Sequence, residues 1–222
     1  LKKGKKGNIY LEAMENGSLY SFISKNQPAP THPLWDSTHI LIIAYGVACA
    51  MEFLHYNNFL HRDLKADNIL LDGQLQPYVT DFGTAREKDA DYSVNSTVSQ
   101  TTVTIMAPEF IESYDEYNRT TPIDVYSYAM VLYNLITGKP PYPEGTTVTS
   151  IVTQTKNRMR PAFPPNTDQK WVDLITQCWS QEPEKRPSFK SICDLLESST
   201  FLTPDINVVL FNSYKKKVRP SP

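Results

Sequence analysis

His61-Arg62-Asp63-Leu64-Lys65-Ala66-Asp67-Asn68 decides how this sequence is read, together with Asp81-Phe82-Gly83 and Ala107-Pro108-Glu109, which follow it in order. Taken singly, each stretch has an ordinary meaning. A His-x-Asp pair is commonly a structural hydrogen bond, Asp-Phe-Gly is a turn, and Ala-Pro-Glu opens a helix with proline at an early position. Between the first two stretches, Ile69-Leu70-Leu71 and Tyr78-Val79-Thr80 read as short strands joined by an Asp72-Gly73 turn and Pro77. That predicts a small surface hairpin. Upstream, Asp36 or Ser37 is an N-cap before Ile40, Ile43, Ala44, Val47, Met51 and Leu54, the spacing of a helix with one buried face. Earlier still, Asn16-Gly17 breaks the pattern, Ser18 caps a short helix over residues 19–23, and Pro28, Pro30 and Pro33 mark a loop. Downstream, residues 84–104 are rich in Ser, Thr and Asp and read as a long mobile loop. An apolar helix begins at Pro122, carries Val125, Tyr128, Ala129, Leu132 and Ile136 on its face, and stops at Gly138 before Pro140 and Pro141. Two more helices are predicted over residues 171–179 and 189–197, with residues 198–222 as a peripheral tail ending in solvated Lys215, Lys216, Lys217 and Arg219. No internal repeat is visible.

In order and spacing the three stretches resemble the protein-kinase signature HRDLxxxN, DFG and APE. The resemblance implies a mainly α fold: a kinase-like C-terminal large lobe with a small β-hairpin at the active site. It also implies ATP and Mg2+ as cofactors. Phosphoryl transfer needs little covalent help from the protein, but it needs metal ions on the phosphates and a carboxylate that orients the acceptor hydroxyl. By resemblance Asp63 takes that second role, and Lys65 places a positive charge near the transferring phosphate. Asn68 and Asp81 would hold the Mg2+, a hard ion that prefers oxygen ligands. His61 and Phe82 complete the motifs, and Gly83 lends the backbone freedom beside the metal site.

The likeness continues on both sides. Asp124-Val125-Tyr126-Ser127-Tyr128 is similar to the DVWSFG helix start, in which the Asp braces the catalytic loop backbone; Tyr126 replaces the usual Trp and Ala129 the usual Gly. Gly138-Lys139-Pro140-Pro141-Tyr142 matches a GxxPY turn, and Cys178-Trp179, Pro183 and Arg186-Pro187 match the late CW…P…RP pattern. Arg186 is then expected to pair with Glu109 in an architectural role. Glu12 to Leu19 looks like the inter-lobe segment EYMENGSL. Backbone groups near Glu12 and Met14 would bond the adenine edge, with Leu70 beneath its ring; for Met14 and Leu70 the plain alternative is core packing. Lys65, two residues after Asp63, is the serine/threonine-kinase pattern, so the partner is a protein with a Ser or Thr acceptor. Thr102 falls where such kinases place a Thr bonded to the catalytic Asp and Lys, although Thr101 and Ile105 depart from the pattern around it. The whole set is closest to the tyrosine-kinase-like branch.

Composition bounds the alternatives. The 222 residues hold 22 Lys+Arg against 24 Asp+Glu, a formal charge of −2, so there is no electrostatic footprint for nucleic acid. Apolar runs such as Ile40 to Ala44 fall far short of the ~18 residues of a membrane span, so no membrane insertion is expected. Cys49, Cys178 and Cys193 are odd in number and widely spaced, which speaks against a disulfide framework and for a reducing, cytoplasmic setting.

The eight glycines contain no GxGxxG, and no VAIK-like strand precedes Glu12. The N-terminal β lobe is therefore expected to be absent from this stretch, which reads as a fragment: residues 1–16 are the last strand of the small lobe and the link, 17–197 the large lobe, 198–222 the tail. Alone it is expected to bind ATP very weakly. The rival reading is a catalytically inactive scaffold that uses the lobe to hold a partner. The resemblance further implies that Arg62 pairs with a phosphate on the loop after DFG, which here offers Tyr92, Ser93, Ser96, Thr97, Ser99 and Thr101 as acceptors for an activating phosphorylation; the plain alternative is that this Ser/Thr richness marks a solvated loop.

Overall fold

In the computed structural model, which describes residues 13–26, 32–81, 86–87, 104–112 and 120–219, the chain is mainly helical. The helices are α1 (Leu19–Lys25), α2 (Ser37–Tyr56), α3 (Pro108–Glu112), α4 (Pro122–Thr137), α5 (Val148–Lys156), α6 (Gln169–Cys178), α7 (Phe189–Leu196) and α8 (Val208–Val218). Strands β1 (Phe59–Leu60), β2 (Ile69–Leu71), β3 (Pro77–Val79) and β4 (Arg86–Glu87) form two antiparallel ladders, β1 with β4 and β2 with β3.

The helix ends follow from local chemistry. Ser18 Oγ accepts the Ser21 amide at 3.2 Å and Asp36 Oδ1 accepts the His39 amide at 2.8 Å, so each cap satisfies a first-turn N–H that the helix itself cannot. α4 has Pro122 in its first turn and stops at Gly138, whose φ of 68° and amide bond to the Asn134 carbonyl make a left-handed C-cap.

Between its caps, α2 is buried on more than the one face its periodicity suggests. Thr38 to Cys49 are all buried except the half-buried Ile40, because α7, α8, α4 and β3 surround it. A helix apolar all round is a core helix. By length and composition α2 is apolar enough to cross a membrane, but 67% of that stretch is buried inside the protein, where packing uses the apolar surface.

The hairpin differs from its expectation in three ways. The second strand begins at Pro77, opposite Leu71 at the ladder's end, where a residue without an N–H is tolerated. The turn is built on Asp72, whose Oδ1 accepts the Gln74 and Gln76 amides at 2.9 and 2.8 Å, and its left-handed residue is Leu75 (φ 57°) rather than Gly73. It also lies only partly on the surface: Gly73 and Gln74 are exposed and β3 is half-buried, but Ile69, Leu71 and Leu75 are fully buried. Within the stretch read as a mobile loop, residues 86–87 form β4; residues 82–85 and 88–103 lie outside the described residues.

Residues beyond 197 are part of the core rather than a peripheral tail. Phe201, Ile206, Phe211 and Tyr214 are all buried, and the Phe211 ring packs edge-on against Tyr45 of α2 at 5.2 Å. The basic residues there tie α8 down: Lys215 pairs with Glu197, Lys217 donates to Gln76 at 2.7 Å, and Arg219 reaches Glu52 at 2.8 Å. The signal in the sequence is Phe211, Tyr214 and Val218 at i, i+3 and i+7, masked by the exposed Val208 and Val209 beside them.

α8 and β3 both cross α2 at Gly46. A Cβ there would lie 2.1 Å from Tyr214 Oη and 2.6 Å from Pro77 Cγ. Helix propensity favours Ala over Gly by about 1 kcal/mol, whereas overpacking costs about 1–3 kcal/mol, and the rigid proline ring leaves little room to yield. Gly46→Ala is therefore expected to lower the denaturation midpoint in a urea melt; a raised midpoint would show that the contact is not tight.

Candidate active site

The site is built on Asp124, in the first turn of α4, where the helix dipole favours a negative charge. The residue is fully buried, so its carboxylate requires partners. Oδ2 accepts the His61 amide at 2.9 Å and a bond from His55 Nε2 at 2.9 Å, and Oδ1 accepts the Arg62 amide at 2.8 Å. Burial by itself pushes the carboxyl up, but His55, followed by the backbone amides of His61 and Arg62, outweighs it and holds Asp124 below its ordinary 3.8.

This anchor sets the shape of the loop after β1. Arg62 has φ 65°, a left-handed conformation that costs a non-glycine residue about 1–2 kcal/mol. Each hydrogen bond to a charged acceptor contributes about 1.5–3 kcal/mol, so two amide bonds to one carboxylate outweigh the strain. His61, also fully buried, ties the same loop to the end of β3. Its Nε2 donates to the Thr80 carbonyl at 3.0 Å, which leaves Nδ1 to accept the Asp63 amide at 3.3 Å. Thr80 in turn bonds the Asn68 carbonyl through its amide at 2.8 Å and its hydroxyl at 3.1 Å.

The loop so fixed gathers three of the side chains singled out in the sequence. Asn68 Nδ2 donates to the Asp63 carbonyl at 2.8 Å and to Asp63 Oδ2 at 3.0 Å, and Lys65 Nζ lies 2.9 Å from the same oxygen. Asp63 and Asn68 are buried and Lys65 is half-buried. Asn68 turns its amide nitrogen to Asp63 and, among the described residues, no hydrogen bond is seen on its side-chain oxygen Oδ1, an atom type that suits a hard cation. Asp81 follows β3 with φ 61° and an exposed carboxylate, a second oxygen donor reached through Thr80.

A second buried charge pair holds the far end of the motif set. Arg186 donates from Nη1 to Glu109 Oε1 at 2.7 Å and from Nη2 to Oε2 at 2.8 Å, bridging 77 residues. Its remaining bonds go to the Pro122 carbonyl at 3.0 Å and, from Nε, to the Ser180 carbonyl at 2.9 Å. The guanidinium also lies 5.1 Å from the Tyr126 ring centre, and Arg160 lies 5.2 Å from the same ring.

A family model describing protein tyrosine and serine/threonine kinases matches residues 2–196. The chain belongs to this kinase family. It is 38% identical over 189 residues to a probable serine/threonine-protein kinase of Dictyostelium discoideum, a match covering 85% of this chain and 14% of that protein. It is 37% identical over 188 residues to the serine/threonine-protein kinase STY17 of Arabidopsis thaliana, covering 85% and 31%. To the serine/threonine/tyrosine-protein kinase HT1 of the same plant it is 33% identical over 189 residues, covering 85% and 46%. The kinase chain thus spans less than half the length of each of these relatives.

Of the other residues singled out in this kinase chain, Met14 and Leu70 are half-buried and close in the hydrogen-bond network. The Met14 carbonyl accepts the Gly17 amide at 3.0 Å, Gly17 accepts from Leu71 at 2.9 Å, and Ser18 bridges to Leu70. Glu12, Phe82, Gly83 and Thr102 lie outside the described residues. Two contributors carry no signal in the sequence, His55 on Asp124 and Thr80 on His61 and Asn68. Neither sits in a motif, and only packing brings them to the loop. A cleft of about 380 Å³ opens beside Lys65 and Asp67, walled by Ile105, Met130, Tyr142 and Ile151.

Removing one partner of a buried ion pair costs about 3–5 kcal/mol because the other charge is stranded. Arg186→Ala is expected to destabilise the fold by that amount in denaturant melts, and a loss under ~1 kcal/mol would place the pair among weak surface bridges. Asp124 gives a pH test. Its carboxyl is held low in the folded state, so the unfolded chain binds the proton first as pH falls. The stabilisation is therefore present above pH 3.8 and lost as pH drops through the lower folded value. The stability difference between wild type and Asp124→Asn should shrink over that window; a constant difference would count against an ionised anchor.

Proposed function

We propose that the chain carries the catalytic lobe of a kinase that transfers phosphate from Mg-ATP to serine or threonine hydroxyls of proteins. The observation that carries this reading is the Asp63 carboxylate, fixed by Asn68 Nδ2 at 3.0 Å and Lys65 Nζ at 2.9 Å on a loop whose backbone is clamped by Asp124.

Bound Mg-ATP supplies the phosphoryl group and the cation that neutralises it. Asn68 and Asp81 are the oxygen donors suited to hold that cation, and the chain near Glu12 and Met14, with Leu70, would receive the adenine. Asp63 orients the acceptor hydroxyl and takes its proton at the carboxylate. Lys65 stays on the same carboxylate and keeps a positive charge beside the site of transfer, a preorganised charge that needs no rearrangement as the reaction proceeds. The cleft next to Lys65 and Asp67 would seat the polypeptide flanking the acceptor. Support for serine or threonine comes from Lys65 itself and from the serine/threonine specificity named for the relatives. Three free, buried cysteines are consistent with a reducing, cytoplasmic setting.

The test is phosphate transfer from Mg-ATP to a library of serine- and threonine-containing peptides by the full-length polypeptide that bears this chain. Asp63→Asn is expected to lower kcat by about 10²–10⁴-fold, the usual contribution of a positioned proton acceptor, with the fold unchanged. Undiminished turnover in that variant would remove Asp63 from the chemistry. Absent turnover in wild type, with partner proteins retained equally by both forms, would favour the scaffold reading.

A further inference from the structure

Outside the catalytic loop, α2 and α7 bring two thiols into contact. Cys49 Sγ and Cys193 Sγ are 3.6 Å apart although 144 residues separate them, and both are buried, at 6% and 0% exposure. Above them lies a bridge of charges from the same two helices. Glu52 stands one turn beyond Cys49, and Asp194 and Glu197 follow Cys193. Arg219 joins all three, at 2.8 Å to Glu52, 3.1 Å to Glu197 and 3.3 Å to Asp194. Tyr45 Oη donates to Glu197 at 2.6 Å on the inner side. The Arg219 and Glu52 side chains are 28% and 23% exposed, and of the two cysteines Cys49 keeps the slight exposure.

We propose that Cys49 and Cys193 are a redox modification site, an intramolecular disulfide that staples α2 to α7 and is formed with hydrogen peroxide as the oxidant. Cys49 is the reacting member, because it keeps some exposure whereas Cys193 is fully buried. The hydrogen bond from Cys193 lowers the Cys49 thiol most, against burial, and the Arg219 guanidinium adds to the effect, whereas Cys193 is pushed up. The thiolate, not the thiol, is the nucleophile. Cys49 thiolate attacks one peroxide oxygen, the O–O bond breaks, and the released hydroxide takes up the proton lost from Cys49, giving a sulfenic acid and one water. Cys193 sulfur then attacks the Cys49 sulfur, the S–O bond breaks, and the departing hydroxide takes the Cys193 proton as a second water. Two thiols lose two electrons in total and one peroxide gains them.

The same sulfurs with Glu52 form a trio whose ligand atoms lie within 4.8 Å of one another. A metal is the weaker reading. Glu52 is already engaged by Arg219, and a closed structural zinc site takes four ligands. A disulfide needs only the two sulfurs already in contact, brought to about 2.0 Å. It would close a loop containing the catalytic loop and α4, and stabilisation by a cross-link grows with loop length.

The experiment treats the folded chain with hydrogen peroxide, blocks remaining thiols with N-ethylmaleimide, and maps unreduced peptides by mass spectrometry. The expected result is a Cys49–Cys193 linked peptide, lighter by two hydrogens, with Cys178, fully buried, blocked only after denaturation. The melting temperature should rise by about 5–10 °C and return with dithiothreitol. In Cys49→Ser, Cys193 should remain a free thiol at the same dose, but the wild-type map decides the matter even if that variant folds poorly. A fall in melting temperature on linkage, oxidation of Cys49 beyond sulfenic acid with Cys193 still free, or no oxidation of either would overturn the proposal. So would a link involving Cys178, or stoichiometric zinc in the untreated protein that is lost in Cys49→Ser.

Discussion

A buried carboxylate with three donors, Asp124, is the constraint on which the rest of the site depends. An ionised group taken wholly out of water has to be matched by hydrogen bonds or it unfolds its surroundings. In this chain the matching donors are the amides of His61 and Arg62, and supplying them forces Arg62 into a left-handed conformation. That turn directs the following residues so that Asp63, Lys65 and Asn68 converge on one carboxylate oxygen. The geometry of the candidate site is thus a consequence of satisfying a charge on a different element.

α4 extends the same logic in the other direction. Its first turn presents Asp124 to the loop, the Pro122 carbonyl to Arg186, and the Tyr126 ring to two guanidinium groups. The Arg186–Glu109 fork then positions α3 relative to this helix, with Ile105 and Ala107 buried in the core just before it. Ser127 adds a hydrogen bond to the Ile105 carbonyl at 3.0 Å. One helix therefore references both the loop that holds Asp63 and the segment that enters α3, and a disturbance in its first turn is felt at both.

Much of this is legible in the residues themselves. Caps at Ser18 and Asp36, the stop at Gly138 and the apolar spacing of α2 are local signals, and local geometry determines them. The hairpin is legible in outline but not in detail. Asp72-Gly73 suggests a tight turn, whereas the Asp72 side chain organises a longer one ending at Leu75. α5 escapes a reading by periodicity because only Ile151 and Thr155 in it are buried, too short an apolar pattern to stand out. α8 escapes it because the exposed Val208 and Val209 interrupt its stripe, although Phe211 and Tyr214 are both buried in the core.

By itself the sequence determined which chemical groups are present and in what order: a carboxylate, an ammonium and an amide within six residues, a second carboxylate after a hairpin, and a Glu and an Arg suited to pair. Those are properties of residue type and spacing, and short spacing fixes proximity. Tertiary structure alone decided that Asp124 meets the amides of residues 61 and 62, that His55 shares its charge, that the tail helix closes over Gly46, and that Cys49 touches Cys193. Each of these joins elements far apart in the chain. Periodicity tells which face of a helix is apolar, but only the packing of one helix against another decides what that face meets.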